Sequence, residues 1–215
     1  MKDLSCFLSG LVWLVGTPLL LYLWRKKTGA KIYPAFIAFA VCIPVFMLAA
    51  AIRLGFEGEI SIGYYIKRGL LYGVLEEGAK FAALKLMYDD LNSRRDAVSY
   101  SVGHGAFEGL TAGLSCFGLI GTDRADDSIL AVNIWAAAEG AAFCAALTVL
   151  IWYGIATDKW RTILPAVMLM HALSNMAGHI LQYTILEIPV QTLITIGECA
   201  AGYICWKKLR PAEDF

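Results

Sequence analysis

Residues 32–52 read IYPAFIAFAVCIPVFMLAAAI, an apolar run that contains no charged residue. An α-helix rises 1.5 Å per residue, so about 20 residues cross a hydrocarbon core of about 30 Å. The whole chain is apolar as well, with 59% hydrophobic and 17% charged residues and a mean hydropathy of +0.62. Charged residues make up about a quarter of a soluble domain. The sequence therefore predicts an integral membrane protein.

Six further runs have a similar length and character, and short polar connections separate them. They predict an all-α, polytopic membrane protein of about seven transmembrane helices. Residues 1–215 are expected to form a single transmembrane domain, with its motif-bearing core at about 63–184. The predicted spans are Leu4–Trp24, Ile32–Ile52, Gly63–Met87, Ala97–Ile120, Ile129–Ala156, Thr162–Thr184 and Ile188–Trp206.

The basic residues of the connections predict an orientation. If the loop after the first span is cytoplasmic, twelve lysines and arginines fall on that side and five on the other, while Lys80 lies inside a span. By the positive-inside rule, the amino terminus is outside and the carboxyl terminus is cytoplasmic. The first span is expected to be retained, because its basic residues follow the apolar run instead of preceding it. The formal net charge is zero and no basic stripe exists, so the lipid bilayer is the expected partner and nucleic acid is not.

Several ionisable residues fall inside the predicted spans. Such residues cost at least about 2.5 kcal/mol near the bilayer centre and normally mark function. Four of them lie eight to twelve residues from the predicted cytoplasmic ends, a depth of roughly 12 to 18 Å, and are therefore expected to meet. These four are Glu77, His104, Glu108 and His171.

Residues four apart share one face of a helix. Glu76 with Lys80, His104 with Glu108, and His171 with Asn175 therefore give each of three helices one polar stripe. Small residues at the same spacing let helix backbones approach each other closely. Gly105, Gly109 and Gly113 have this spacing, so the fourth helix is expected to be central.

The residue types allow two kinds of hydrolytic chemistry. A carboxylate in an apolar site can act as general base toward water, while histidine and asparagine donate hydrogen bonds to a developing oxyanion. The same residues can also hold a divalent metal, for which Glu77, His104 and His171 are the expected ligands and zinc the expected ion. The residues alone leave both possibilities open. The six cysteines form no CxxC pair and predict neither a disulfide framework nor a cysteine-based zinc site.

Three motifs resemble those of intramembrane proteases. LEEGAK (75–80), YSVGHGAFEG (100–109) and HALSN (171–175) are similar in order and spacing to the motifs of the glutamic or metal-dependent superfamily. That superfamily includes the CAAX prenyl proteases with the bacteriocin-processing enzymes, the PrsW proteases and the YhfC family, which the GHGxxE form resembles most. Tyr100 stands where the CAAX group has phenylalanine, and Lys80 stands one position before its arginine.

The resemblance implies an intramembrane endopeptidase of a bacterial cytoplasmic membrane. Its substrate would be a membrane-embedded or lipid-anchored peptide or protein that enters laterally. The implied catalytic residues are Glu76, Glu77, His104, Glu108, His171 and Asn175.

Two other functions fit buried glutamate and histidine. A proton-coupled transporter uses such residues, although the internal repeats and broken helices typical of transporters are not evident here. A catalytically inactive membrane scaffold would keep the fold without a water-accessible cavity.

Four further residues have expected roles outside this set. Lys80 is expected to be a structural counter-ion, and His179 is expected to lie near the membrane interface. Glu139 is open between a site contact and a packing hydrogen bond, while Glu198 is expected to make a structural or oligomeric contact.

Overall fold

A computed structural model describes residues 1–56, 61–91, 93–182 and 184–209. These residues form seven α-helices and no strand, which confirms the all-helical prediction. The helices are α1 (Lys2–Thr28), α2 (Tyr33–Leu54), α3 (Ile62–Leu86), α4 (Arg94–Gly118), α5 (Ile129–Ala156), α6 (Trp160–Leu181) and α7 (Glu187–Lys208). Arg210, counted among the cytoplasmic basic residues, lies outside the described residues.

Five of these helices are long and apolar enough to cross a membrane, namely α1, α2, α5, α6 and α7. They indicate an integral membrane protein. The helices α3 and α4 are less apolar, because α3 carries Glu76, Glu77 and Lys80 and α4 carries His104 and Glu108 together with glycine and serine. The two helices that fall short of the apolar character of a span thus carry four of the six predicted site residues.

Local signals set the ends of the helices. The hydroxyl oxygens of Ser61 and Ser93 accept hydrogen bonds from backbone N–H groups in the first turns of α3 and α4, as N-cap residues do. Helix α1 ends at Gly29, whose φ of 72° is the left-handed conformation that glycine adopts without strain. Both helices that carry the first two motifs therefore start at a defined residue.

Helix α4 is surrounded by neighbours. It packs against α1, α2 and α5, while α3 lies along α6. The closest backbone approach is at Gly103, where a Cβ atom would lie 1.9 Å from the carbonyl oxygen of Ala35. Gly109 and Gly113 face α1, but a Cβ at Gly105 would meet nothing within 4 Å. The prediction that Gly105 lies in a helix contact is therefore wrong, because Gly103, two positions earlier, faces α2.

A buried apolar cluster lies between α5 and the cytoplasmic halves predicted for α3 and α4. Trp152, Leu147, Ile151, Leu84 and Tyr100 are fully or almost fully buried in one cluster. This cluster fixes α3 and α4 next to α5 immediately beside the ionisable residues. All six cysteines are free.

Candidate active site

Two adjacent carboxylates of α3 have different surroundings. Lys80 Nζ donates hydrogen bonds to both oxygens of Glu77, at 2.7 and 2.9 Å. The side chains of both partners are fully buried. Consecutive residues of a helix point about 100° apart, so Glu76 faces another direction and does not share this ion pair. The pair Glu77–Lys80 is a neutral unit, in which Lys80 serves as counter-ion.

His171 of α6 lies between the two carboxylates. Its Nδ1 donates to Glu77 Oε1 at 2.7 Å, and its Nε2 lies 3.6 Å from Glu76 Oε2. The ring of Phe143 packs edge-on against the imidazole, with centroids 5.0 Å apart and an interplanar angle of 89°. A carboxylate that accepts from Nδ1–H fixes the orientation of a histidine ring and leaves Nε2 facing the site. Glu77 therefore positions His171, and the free ring nitrogen is directed at Glu76.

His104 of α4 approaches Glu76 from the other side. Its Nε2 lies 3.2 Å from Glu76 Oε2 and 3.5 Å from Glu108 Oε1. Its Nδ1 contacts the thiol sulfur of Cys42 at 3.4 Å. The same oxygen of Glu76 thus has the Nε2 atoms of two histidines on either side. Helices α3, α4 and α6 bring Glu76, His104 and His171 to one buried point.

A second set of ligand atoms lies beside this point. One ligand atom each from His104, Glu108 and Cys144 lie within 4.8 Å of one another, so this group could hold a metal ion. Nitrogen, oxygen and sulfur donors together suit a borderline cation. The expected ligands were Glu77, His104 and His171, of which only His104 belongs to the group found among the described residues. Glu77 is absent from it, since Lys80 and His171 already occupy its oxygens.

A polar cavity of about 200 Å³ opens next to the carboxylate of Glu76. Asn175 lines it one helical turn after His171. The predicted site residues that line the cavity are Glu76, Glu108, His171 and Asn175, and Arg68 and His179 line it as well. Four of the six residues implied by the motifs thus line one cavity, whereas Glu77 and His104 do not line it.

An apolar cavity of about 530 Å³ lies on the other side of Glu108, between α1, α4 and α5. Small residues line much of it, and Gly16, Gly105 and Gly140 leave open space where a Cβ would be. The side chain of Glu108 is 36% exposed and lines both cavities. Glu108 therefore separates an apolar groove from a polar pocket.

The acidic residues outside the site differ in their contacts. Thr195 donates a short hydrogen bond to Glu139, which is a packing contact between α5 and α7. Glu198 is 3% exposed, and neither carboxylate oxygen has a hydrogen-bond partner in the described part of the chain. His179 stacks on Tyr65 at a centroid distance of 5.5 Å and lines the polar cavity.

The sequence does not mark three residues that contribute to the site. Cys42 and Cys144 sit in apolar runs without a neighbouring polar residue, so nothing in the pattern distinguishes them from packing cysteines. Arg68 lies eight residues before Glu76 and was counted with the basic residues of a connection. The sequence did contain a signal for Arg68, because an arginine inside the same helix as Glu76 needs an anionic partner.

Comparisons of the chain with protein-family models, with curated proteins and with solved structures give no match. The resemblance of the three motifs to intramembrane proteases therefore remains an expectation, and the geometry of the site is the evidence from which a function is argued.

Proposed function

We propose that this chain is an intramembrane endopeptidase that hydrolyses a peptide bond of a membrane-embedded or lipid-anchored substrate. The observation that carries the proposal is the position of Glu76 Oε2, between the Nε2 atoms of His104 and His171 at the edge of a polar cavity. Ionisable residues from three helices rarely converge within a membrane protein without a function, because each is costly to bury.

Glu76 is the proposed general base. It removes a proton from water as the water oxygen attacks the carbonyl carbon of the peptide bond. His171, protonated on both ring nitrogens, and Asn175, one turn apart on α6, donate to the oxygen that becomes negative. The C–N bond then breaks, Glu76 returns the proton to the amine nitrogen, and a new carboxyl and a new amino terminus leave. Glu77 acts through His171 and is a positioning residue in this scheme.

A metal-dependent form of the reaction would use residues next to the same cavity, of which Glu108 lines it. His104, Glu108 and Cys144 are the residues that would hold the ion, and their mixed donor set suits zinc. A bound zinc would supply an acidified water and a polarised carbonyl. Glu76 keeps its position as the proton acceptor in both forms.

The apolar groove between α1, α4 and α5 is the proposed lateral entrance. It is lined mainly by small and apolar residues and ends at Glu108, which also lines the polar cavity. A hydrophobic segment in the groove would therefore present its peptide bond to Glu76 without leaving the apolar phase.

We also propose that all seven helices span the membrane, with the amino terminus outside and the carboxyl terminus cytoplasmic, in a bacterial cytoplasmic membrane. The excess of basic residues in one set of connections supports this orientation. Burial of the charged residues of α3 and α4 against their neighbours supports their place inside the bundle.

The test is cleavage of a panel of synthetic transmembrane and lipidated peptides in liposomes that contain the purified protein, with products identified by mass spectrometry. Glu76→Gln is expected to lower kcat by about 100-fold or more, which is the usual contribution of a general base. Glu139→Gln is the matched control, because Glu139 is also an acidic residue of a helix but does not line the polar cavity. Full cleavage by a Glu76→Gln, Glu77→Gln double variant would overturn the proposal.

The same liposome assay distinguishes a metal-dependent protease, a protease that uses glutamate alone and a proton-coupled transporter. Loss of cleavage on addition of a chelator, restored by zinc, supports the metal-dependent form, and indifference to the chelator supports the form that uses glutamate alone. Proton flux that depends on Glu76, measured with an internal pH dye and without any peptide product, would instead make the chain a proton-coupled transporter.

A further inference from the structure

The polar cavity has a cationic end that the hydrolytic scheme does not use. Arg68 of α3 lines the cavity together with Glu76, and His179 of α6 lies beside it. The guanidinium of Arg68 lies 5.7 Å from the ring centroid of Tyr72. Its Nε is buried without a hydrogen-bond partner, and Arg68 forms no ion pair with any other described residue. Arg68 thus presents to the cavity a cation that pairs with no carboxylate of the described residues, and we read it as an open position for an anion.

The surroundings of Arg68 fix it as part of the cavity wall. Tyr72 lies one turn further along α3 under the guanidinium, and His179 is held across the cavity by its stacking on Tyr65. Gln182 donates to the hydroxyl of Tyr65 at 2.8 Å, which ties the end of α6 to α3. The carboxylates in the cavity, Glu76 and Glu108, belong to its other end. The cavity is therefore polarised, with the guanidinium of Arg68 at one end and the carboxylates of Glu76 and Glu108 at the other.

We propose that Arg68 binds a carboxylate of the substrate and thereby determines where the peptide is cut. Guanidinium forms two parallel hydrogen bonds with a carboxylate, and such charge-assisted pairs are strong when shielded from water. This inference rests on the proposed function for the identity of the substrate. The carboxylate is either the free carboxyl terminus of the peptide or the side chain of an aspartate or glutamate, since both present the same group.

The helix sets the distance between the carboxylate and the cut. Arg68 and Glu76 are eight residues apart on α3, which corresponds to about 12 Å along its axis. An extended peptide covers about 3.3 Å per residue, so the carboxylate is expected about three to four residues from the cleaved bond.

The experiment uses two pairs of synthetic apolar peptides and measures both binding and cleavage in detergent. The first pair differs only in a free or an amidated carboxyl terminus, and the second only in glutamate or glutamine four residues from a fixed bond. The wild-type protein is expected to favour the carboxylate form of at least one pair by about 10- to 100-fold in kcat/KM and in affinity. Arg68→Gln should remove this preference chiefly through KM, and Arg68→Lys should keep part of it.

Lys67→Gln is the matched control, because Lys67 is the exposed neighbour of Arg68 on α3 and does not line the cavity. Thermal unfolding of each variant verifies folding, and Arg68→Lys decides the question if Arg68→Gln does not fold. A preference that persists in Arg68→Gln, or no preference in either pair, would overturn the inference. Cleavage without an Arg68-dependent preference would leave the proposed function intact, whereas Arg68-dependent binding without cleavage would leave the carboxylate site and remove the protease.

Discussion

The adjacent glutamates Glu76 and Glu77 of α3 have different roles in this protein, one chemical and one structural. Glu77 is held by Lys80 and by His171, so its charge is matched inside the bundle. Glu76 contacts two histidine nitrogens at longer distances and faces the cavity. The motif EE alone did not separate these roles, because both residues were expected to be catalytic and Glu77 was expected to be a metal ligand as well. Only the direction of each side chain from the helix distinguishes them.

The ion pair of Glu77 predicts a large effect on stability. Glu77→Gln leaves Lys80 as a buried charge without its carboxylate, and breaking a buried pair in this way costs about 3–5 kcal/mol. A cost of 1 kcal/mol corresponds to about 2–4 °C for a chain of this size, so the melting temperature in detergent should fall by about 10 °C. Adding Lys80→Met to Glu77→Gln should restore most of the loss.

Glu198→Gln is the comparison for that measurement. Its carboxylate is buried without a described partner, so the substitution removes no ion pair and is expected to keep or raise the melting temperature. An equal fall for Glu198→Gln and Glu77→Gln would show that any buried polar change has this effect and would contradict the role of Lys80.

The contact between Glu76 and His104 predicts non-additive kinetics. If both residues act on one water, Glu76→Gln and His104→Gln should each abolish most of the turnover, and the double variant should be little worse than the poorer single variant. The measurement is kcat for a peptide cleaved by the wild type. Multiplication of the two single losses in the double variant would mean that the residues act independently.

At the level of helices, the sequence predicted the shared membrane depth of the motif residues better than it predicted which residues pack against each helix. Counting residues from the helix ends brings His104 and His171 to one level, and both contact Glu76 in the structure. The glycine pattern was less informative, because a four-residue spacing identifies a face without identifying what lies opposite. Gly109 and Gly113 face α1, whereas Gly105 lines the apolar groove. Among the glycines of α4, Gly103 makes the closest approach to a neighbouring backbone, and no spacing rule singled it out.

Substitution by alanine is expected to have opposite effects at Gly103 and at Gly105. At Gly103 the new Cβ would overlap the carbonyl oxygen of Ala35, a backbone atom that cannot move aside alone, so Gly103→Ala should cost at least about 1–3 kcal/mol. At Gly105 the Cβ meets open space, and alanine should stabilise α4 by about 0.5–1 kcal/mol. Thermal unfolding in detergent measures both. A loss of stability in Gly105→Ala equal to that in Gly103→Ala would contradict the packing of α4 against α2.

For the whole molecule, composition was sufficient to predict a helical membrane protein, because apolar length and charge decide which segments can cross a bilayer. The two least apolar helices, α3 and α4, carry most of the predicted site residues. Hydropathy is therefore the poorest indicator of a span in the helices that carry two of the three motifs. The contributions of Cys42 and Cys144, and the position of Arg68 at the cavity, depend on the packing between helices. One-dimensional patterns carry no information about such contacts.

The proposed arrangement of all seven helices across the membrane predicts on which side each connection lies. A reporter fused after Arg210 should be cytoplasmic, and one inserted near Asp126, in the exposed connection between α4 and α5, should be outside. The reason is the distribution of basic residues, twelve against five, which favours retention of the richer side in the cytoplasm. Paired reporters active only in the cytoplasm or only outside measure this at both positions in intact cells.

Replacing basic residues in the connections tests whether their unequal distribution determines the orientation. Arg25, Lys26 and Lys27 lie in the last turn of α1, and replacing all three by glutamine should produce a mixed orientation, since they contribute three of the twelve basic residues. Glutamine at Lys2, Arg53 and Arg124, on the poorer side, removes the same number of charges and should strengthen the original orientation. If the Asp126 and Arg210 reporters lie on the same side in the unchanged protein, the number of spans between them is even, and one of the helices α5, α6 and α7 does not cross the membrane.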